Sequence, residues 1–362
     1  MDCYIVCNMF PPLVSDVVRA PGLRAQQLAQ QAELEFDRVR YVMMKSRYDM
    51  LTKSHTVCHG LRSHPDFIVV HDSYLHLFVA RLEPSVFVFT QLEMDAFFKQ
   101  AQKRHYVVYD MLASKTLELR CGNAKPNQVE IFEERQQRFI EQADRVLVNA
   151  EKLQELEAEI LGRHRDEVIN NPFCPVPPKT DGDTPARDHI LFFSAAQPWT
   201  NNAAFLRAMA DYLSDRPDLP AYFMTSLKSH ENPESISISR LQQMPNVRQM
   251  SALSYPAHQV VLARCMAAMD WSAVNDERRY STSTRLIQAV GSGAALFGNA
   301  DTGLDNYWGG YPGANTETEP DTQVLGDFID KAASGAYAGD LRRAADWNKA
   351  VLNDRKIFGG IQ

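Results

Sequence analysis

The chain of 362 residues has no run of about 18 consecutive apolar residues, the length a membrane-crossing helix requires. Its opening segment, MDCYIVCNMFPPLV, has no basic region ahead of an apolar core. It reads as a first strand and not as a signal peptide. The six cysteines (Cys3, Cys7, Cys58, Cys121, Cys174 and Cys265) are scattered and form no CxxC pair. That pattern favours free thiols and a reducing, cytoplasmic compartment. Cys58 and His59 lie beside His55, but no second cluster accompanies them, and we expect no metal site. Positive charge is also short: the net charge is −7, which disfavours a duplex nucleic-acid partner. The sequence lacks GxxxxGK[ST], GxSxG and HExxH, and no GxGxxG follows the first strand. P-loop, serine-hydrolase, zincin and dinucleotide-fingerprint chemistries are thereby set aside.

What is present is a regular alternation. Short apolar runs at 3–10, 39–44, 66–72, 85–90, 105–111 and 144–150 read as strands, and 167–173 closes the series. Helical patterns stand between them, at 21–34, 74–82, 127–143 and 151–161. Near-continuous apolar strands, each followed by a helix, predict a parallel sheet covered on both faces. The pattern breaks at NNPFCPVPPKTDGDTPARD, a Pro-, Gly- and Asp-rich linker, and then restarts. Strands are expected at 189–196, 221–226, 246–251, 266–273 and 294–299, with helices at 201–217, 258–265 and 284–293. A helix at 340–354 has no strand after it. The expected fold is α/β, with two Rossmann-like doubly wound domains, 1–172 and 186–339, facing a cleft. The C-terminal segment, about 340–362, would cross back to the first domain. Such sheets bind ligands beyond the carboxyl ends of their strands.

The stretch YSTSTRLIQAVGSGAALF, 280–297, carries the densest chemistry. A helix start offers free N–H groups and a partial positive charge. Ser283 and Thr284 can cap that start or donate to phosphate oxygens. Arg285 in the first turn opposes the helix dipole unless an anion is near, and Arg278 and Arg279 add charge upstream. The alternative is an ordinary N-cap with solvated arginines. Asp110, ending VVYD, reads either as a positioning carboxylate or base, or as a helix N-cap. Arg24 reads as a solvated helix-face cation, with phosphate or acceptor binding as the alternative. Trp199 reads as cover for a sheet edge, with stacking on a base as the alternative, and Arg163, His164 and Arg165 read as a solvated helix end.

Several segments together resemble a known family. PPLVSDVVRAPGLRAQQLAQQ, HPDFIVVHD, QADRVLVNAEKL, VINNPF, NVRQMSALSYPAHQVVLARCMAAMDWSAV and STSTRLIQAVGSGAALFGNADTGL are similar to segments of GT-B-fold glycosyltransferases. The subgroup is the retaining, group-1-like kind that uses nucleotide sugars. The resemblance implies transfer of a sugar from a nucleoside diphosphate sugar, without a metal or other cofactor. The acceptor would be a glycan, lipid-linked or other molecule, as in polysaccharide biosynthesis. The protein would be cytoplasmic, with peripheral contact at the inner membrane face as a variant. His71 would touch the transferred sugar or the acceptor, and Asp110 would share the catalytic role. Arg285, Thr284, Ser283, Arg279, Gly22, Gln288 and Gly303 would bind the donor. The chain departs from the family at Gln288 and Tyr280, where two Glu are common, and in SAAQPWTNN, which lacks the usual Arg and Lys. The alternatives are a sugar-nucleotide epimerase of the same fold and a non-catalytic scaffold or binding protein.

Overall fold

The computed structural model describes residues 1–54, 60–161, 168–175, 186–194, 202–225, 235–250, 253–305 and 307–361. His55, Cys58, His59, Arg163, His164, Arg165 and Trp199 lie outside them. The chain divides into two compact units. The first comprises Met1–Arg120, Ala124–Val176 and Lys349–Gln362; the second comprises Cys121–Asn123 and Pro177–Asn348.

The first unit is built on β1 (Asp2–Val6), β2 (Arg38–Met44), β3 (Phe67–Val70), β4 (Val86–Phe89), β5 (Tyr106–Met111), β6 (Arg145–Val148) and β7 (Val168–Asn170). They pair in the order β3-β2-β1-β4-β5-β6-β7, every pair parallel. All four residues of β4 are buried, as expected for a strand covered on both faces. The helix Pro126–Gln142 lays Phe139 on Phe98, with ring centroids 3.9 Å apart and planes 18° apart. Burying each such side chain contributes about 1.5–3 kcal/mol. Ile357 and Phe358 complete the core beside Ala29 and Ala32 of the helix Ala20–Ala32, and Phe358 meets Phe36 edge-on at 5.2 Å.

The second unit contains β8 (His189–Ser194), β9 (Ala221–Thr225), β10 (Val247–Met250), β11 (Cys265–Asp270), β12 (Ala295–Asn299) and β13 (Gly313–Thr316). Their order is β10-β9-β8-β11-β12-β13, again all parallel. The helix Ala203–Ser214 buries Phe205, Leu206, Met209 and Leu213 in the core that holds Phe192 and Phe223, whose rings stack at 4.8 Å. The chain therefore has the α/β architecture of two doubly wound parallel sheets. β13 and the helices Lys45–Ser54, Asp95–Ala101, Lys115–Cys121, Ser235–Gln242, Asp276–Tyr280 and Thr322–Ala333 are additions to the elements expected from the sequence.

Four of the five described cysteines (Cys3, Cys7, Cys174 and Cys265) are buried; Cys121 is partly exposed. Burial pushes the Cys174 and Cys265 thiols up to about 12, and those of Cys3 and Cys7 higher still. In Cys58→Ser protein at pH 8, Ellman's reagent should count one fast thiol, Cys121. The remaining four should react only in denaturant.

His258, in the helix Tyr255–Ala263, is held neutral: burial lowers its pKa from the ordinary 6.5 to about 4. The unfolded chain therefore takes up the proton first as the pH falls. His258's share of stability is full above pH 6.5 and is lost as the pH falls towards about 4. The urea midpoint should drop between pH 7 and 5, and by less in His258→Asn.

Candidate functional site

Strand order reverses in the second sheet between β8 and β11, and the chemistry expected from the sequence gathers at their carboxyl ends. β11 terminates in Asp270, β12 in Asn299. The side-chain amide of Asn299 holds the turn after β11: its Oδ1 accepts from Ser272 N at 3.1 Å and its Nδ2 donates to Ser272 O at 2.5 Å. Asn275 then caps the short helix Asp276–Tyr280 by accepting from Arg278 N at 3.0 Å. The next helix, Thr284–Gly291, starts at Ser283.

Ser283 is the N-cap residue, but its hydroxyl does not cap. It donates to Asp270 Oδ2 at 2.8 Å, so the N–H groups of the first turn receive no side-chain cap. Thr284 is the first helical residue, and its carbonyl accepts from Gln288 Nε2 at 3.2 Å. Arg285 is clamped between two strand ends. Its guanidinium lies 5.1 Å from the centroid of the Phe193 ring on β8 and 3.6 Å from Asp270 Oδ2 on β11. Its side chain keeps 30% exposure, so it is positioned without being sealed off. Burial lowers its pKa, opposed by Asp270 and aided by the like charge of Arg278.

Asp270, Arg278, Ser281, Ser283, Leu286, Asn299, Thr302, Leu304 and Tyr311 line a small hollow of about 20 Å³. Two buried atoms of its lining, Arg278 Nε and Tyr311 Oη, have no hydrogen-bond partner among the described residues, and neither do Ser272 Oγ and Gln288 Oε1 in the segments that follow Asp270 and Ser283. A buried polar group without a partner costs about 1–3 kcal/mol, so such a concentration marks a place that needs a polar ligand or water. Burial pushes the Tyr311 phenol far above its ordinary range, so it stays a neutral donor.

The remaining expected residues are spread out. Arg279 is exposed and pairs with Asp301 at 3.2 Å, in the loop that also contains Gly303. Gly22 lies in the helix Ala20–Ala32, where a Cβ would strike the Phe10 carbonyl; its smallness serves close packing there. His71 follows β3, an edge strand, with β2 separating it from β1. His71 is exposed, and its Nδ1 accepts from Ser73 N at 3.3 Å. Asp110 has a setting different from either expectation. Both its oxygens bind Arg24, from Nε at 2.9 Å and Nη2 at 2.5 Å, with both side chains wholly buried. Arg24 is thus corrected from a solvated cation to the centre of a buried network, because α/β packing places its helix face against β5 and the chain after β7. Asp270 and Tyr311 were not singled out from the sequence. The only signal for Asp270 is an acid closing the apolar run MAAMD.

A cavity of about 420 Å³ on the second unit lies elsewhere. It opens among Asp188, His189, Tyr222, Asn246 and Arg264, at the amino ends of the strands, where doubly wound sheets do not place their ligands. Among the described residues no three His, Cys, Asp or Glu side chains gather as a metal site would require. None of the described helices is long and apolar enough to cross a membrane.

Two doubly wound sheets in this order define the GT-B class of fold. The HepE protein of Anabaena, in complex with UDP and glucose, shares it with a TM-score of 0.62 at 12% identity, over 98% of this chain and 97% of that one. An alpha-glucosyltransferase in complex with UDP and a DNA 13-mer matches at TM-score 0.58 and 12% identity, over 98% and 96% of the two chains. A Listeria monocytogenes protein described as a UDP-N-acetylglucosamine 2-epimerase matches at TM-score 0.54 and 10% identity, over 99% and 93%. No protein-family model matches the chain, and no curated protein matches it in sequence.

Proposed function

We propose that the protein is a glycosyltransferase that takes its sugar from a nucleoside diphosphate sugar bound on the second unit. The observation that carries this reading is the uncapped helix start at Ser283, with Arg285 and Arg278 beside it at the carboxyl ends of β8, β11 and β12. That arrangement matches a diphosphate: N–H groups along the helix axis, two guanidinium groups and no helix-capping oxygen in the way. As the glycosidic bond breaks, negative charge grows on the leaving diphosphate. Donors already fixed in place stabilise it without reorganisation. Asp270 holds Arg285 and Ser283 in position, and Gln288 Oε1 remains available to accept from a donor hydroxyl. The reading needs no metal and follows the retaining subgroup that the sequence resembles.

UDP is the first nucleotide to test, since similar structures carry it. Calorimetry should show UDP binding to wild-type protein, and nucleotide-sugar hydrolysis should be measurable without acceptor. Failure of UDP, GDP, CDP and TDP alike to bind would sink the transferase. It would equally sink an epimerase, which the Listeria protein's fold keeps as the second reading. Conversion of the donor to an epimer without acceptor would favour that second reading.

A further inference from the structure

In the first sheet the strand order reverses between β1 and β4, and a cation that forms no ion pair among the described residues stands at their carboxyl ends. Arg47, in the helix Lys45–Ser54 directly after β2, is fixed through Nε, which donates to Asn8 O at 2.7 Å just beyond β1. Its two terminal nitrogens meet only thioethers, Met50 Sδ and Met9 Sδ, each at 3.6 Å. Among the described residues it makes no ion pair. Burial lowers its pKa, the exposed Glu93 favours its charge, and Arg19 opposes it. Arg19 is itself exposed, at the N-cap of the helix Ala20–Ala32, with no capping bond from its side chain.

Two buried polar atoms flank the same place. Asn8, 4% exposed, follows β1, and Thr90, 3% exposed, follows β4. Asn8 Oδ1 and Thr90 Oγ1 have no hydrogen-bond partner among the described residues. A fixed guanidinium with free terminal N–H groups calls for a phosphate or carboxylate, which it grips in bidentate fashion. An amide oxygen and a hydroxyl call for hydroxyl donors.

We propose that the first unit binds an anionic carbohydrate, with its phosphate or carboxylate on Arg47 and Arg19 and its hydroxyls on Asn8 and Thr90. Under the transferase reading, on which only the word acceptor depends, this is the acceptor. The sugar acceptor would therefore be a phosphorylated sugar or a sugar acid, and not a neutral glycan.

The test uses the full chain carrying Arg285→Gln, which weakens the anion contact on the second unit, and inorganic phosphate observed by phosphorus NMR line width. Phosphate should broaden, and adding Arg47→Gln should weaken its binding about tenfold or more, as loss of charge-assisted hydrogen bonds predicts. Glucose 6-phosphate and glucuronate should each compete better than glucose, and the better of the two identifies the anion as phosphate or carboxylate. Unchanged phosphate binding in Arg47→Gln protein that melts at the parent temperature would overturn the proposal. Should Arg47→Gln fail to fold, the exposed Arg19→Gln is read in its place, and unchanged binding there overturns it too. Phosphate binding that depends on Arg47 in a protein that binds no nucleoside diphosphate would remove the transferase and leave this site standing. UDP binding with no Arg47-dependent phosphate would do the reverse.

Discussion

Asp110→Ala should destabilise the protein by about 3–5 kcal/mol, the cost of leaving a buried guanidinium without its carboxylate. Arg24 has five N–H groups, and the fold supplies an acceptor for each. Two go to Asp110, one to Gln27 Oε1 at 2.8 Å, one to Pro172 O at 3.1 Å and one to Asn171 O at 2.7 Å. Gln27 in turn donates to Pro172 O and accepts from Cys174 N, each at 2.8 Å. The pair therefore ties the helix Ala20–Ala32 to β5 and to the chain leaving β7. Natural domains have about 5–15 kcal/mol of stability in all, so the urea midpoint should fall sharply. Asp110→Ala combined with Arg24→Met should regain much of the loss, since no unpaired charge is then buried. A carboxylate acting in catalysis would behave otherwise: Asp110→Ala would remove activity and leave the midpoint in place.

Arg285→Ala should lower turnover of a nucleotide sugar by about 10²–10³-fold, the range found when one preorganised donor to developing negative charge is removed. Two effects add. The diphosphate loses its positioned cation, and Asp270, 5% exposed, is left facing the phosphates with only Ser283 against it. Arg285→Lys keeps the charge but loses the planar contact with Phe193, and should fall between the two. The readout is kcat/KM alongside UDP affinity by calorimetry. Arg279→Ala should change both far less, because Arg279 is exposed and already paired with Asp301. Equal effects of the two substitutions would refute the placement of the diphosphate at the Ser283 helix start.

The architecture was readable because parallel strands buried on both faces write themselves as unbroken apolar runs. VFVF of β4 and CMAAMD of β11 need no partner sequence to be recognised. β13 has no such run. GANT pairs with β12 through its backbone, and Gly313 sits where a side chain would strike the Leu296 carbonyl. The helix Lys45–Ser54 was hidden because its residues are largely polar and it follows β2 without a turn. Within the candidate site, local sequence could reveal what is local: hydroxyls and a cation at a helix start. It could not reveal Asp270 or Tyr311, which meet that start only after the sheet is assembled. The burial of Arg24 is hidden for the same reason, since which face of a helix turns inward depends on its neighbours in the fold.

The first unit takes its last core residues from the far end of the sequence. Ile357 and Phe358 are each 1% exposed, Phe358 N donates to Glu35 Oε1 at 2.9 Å, and Arg145 holds the Ile357 carbonyl at 2.6 Å. On the ribosome, β1 to β7 emerge before any residue of the second sheet, yet the patch beside Ala29 and Ala32 that Ile357 and Phe358 fill stays open until that entire sheet has been made. The half of the molecule that is synthesised first therefore closes its core only after the second sheet has been made. A nascent chain stalled anywhere in the second unit would leave that patch open to chaperones and proteases.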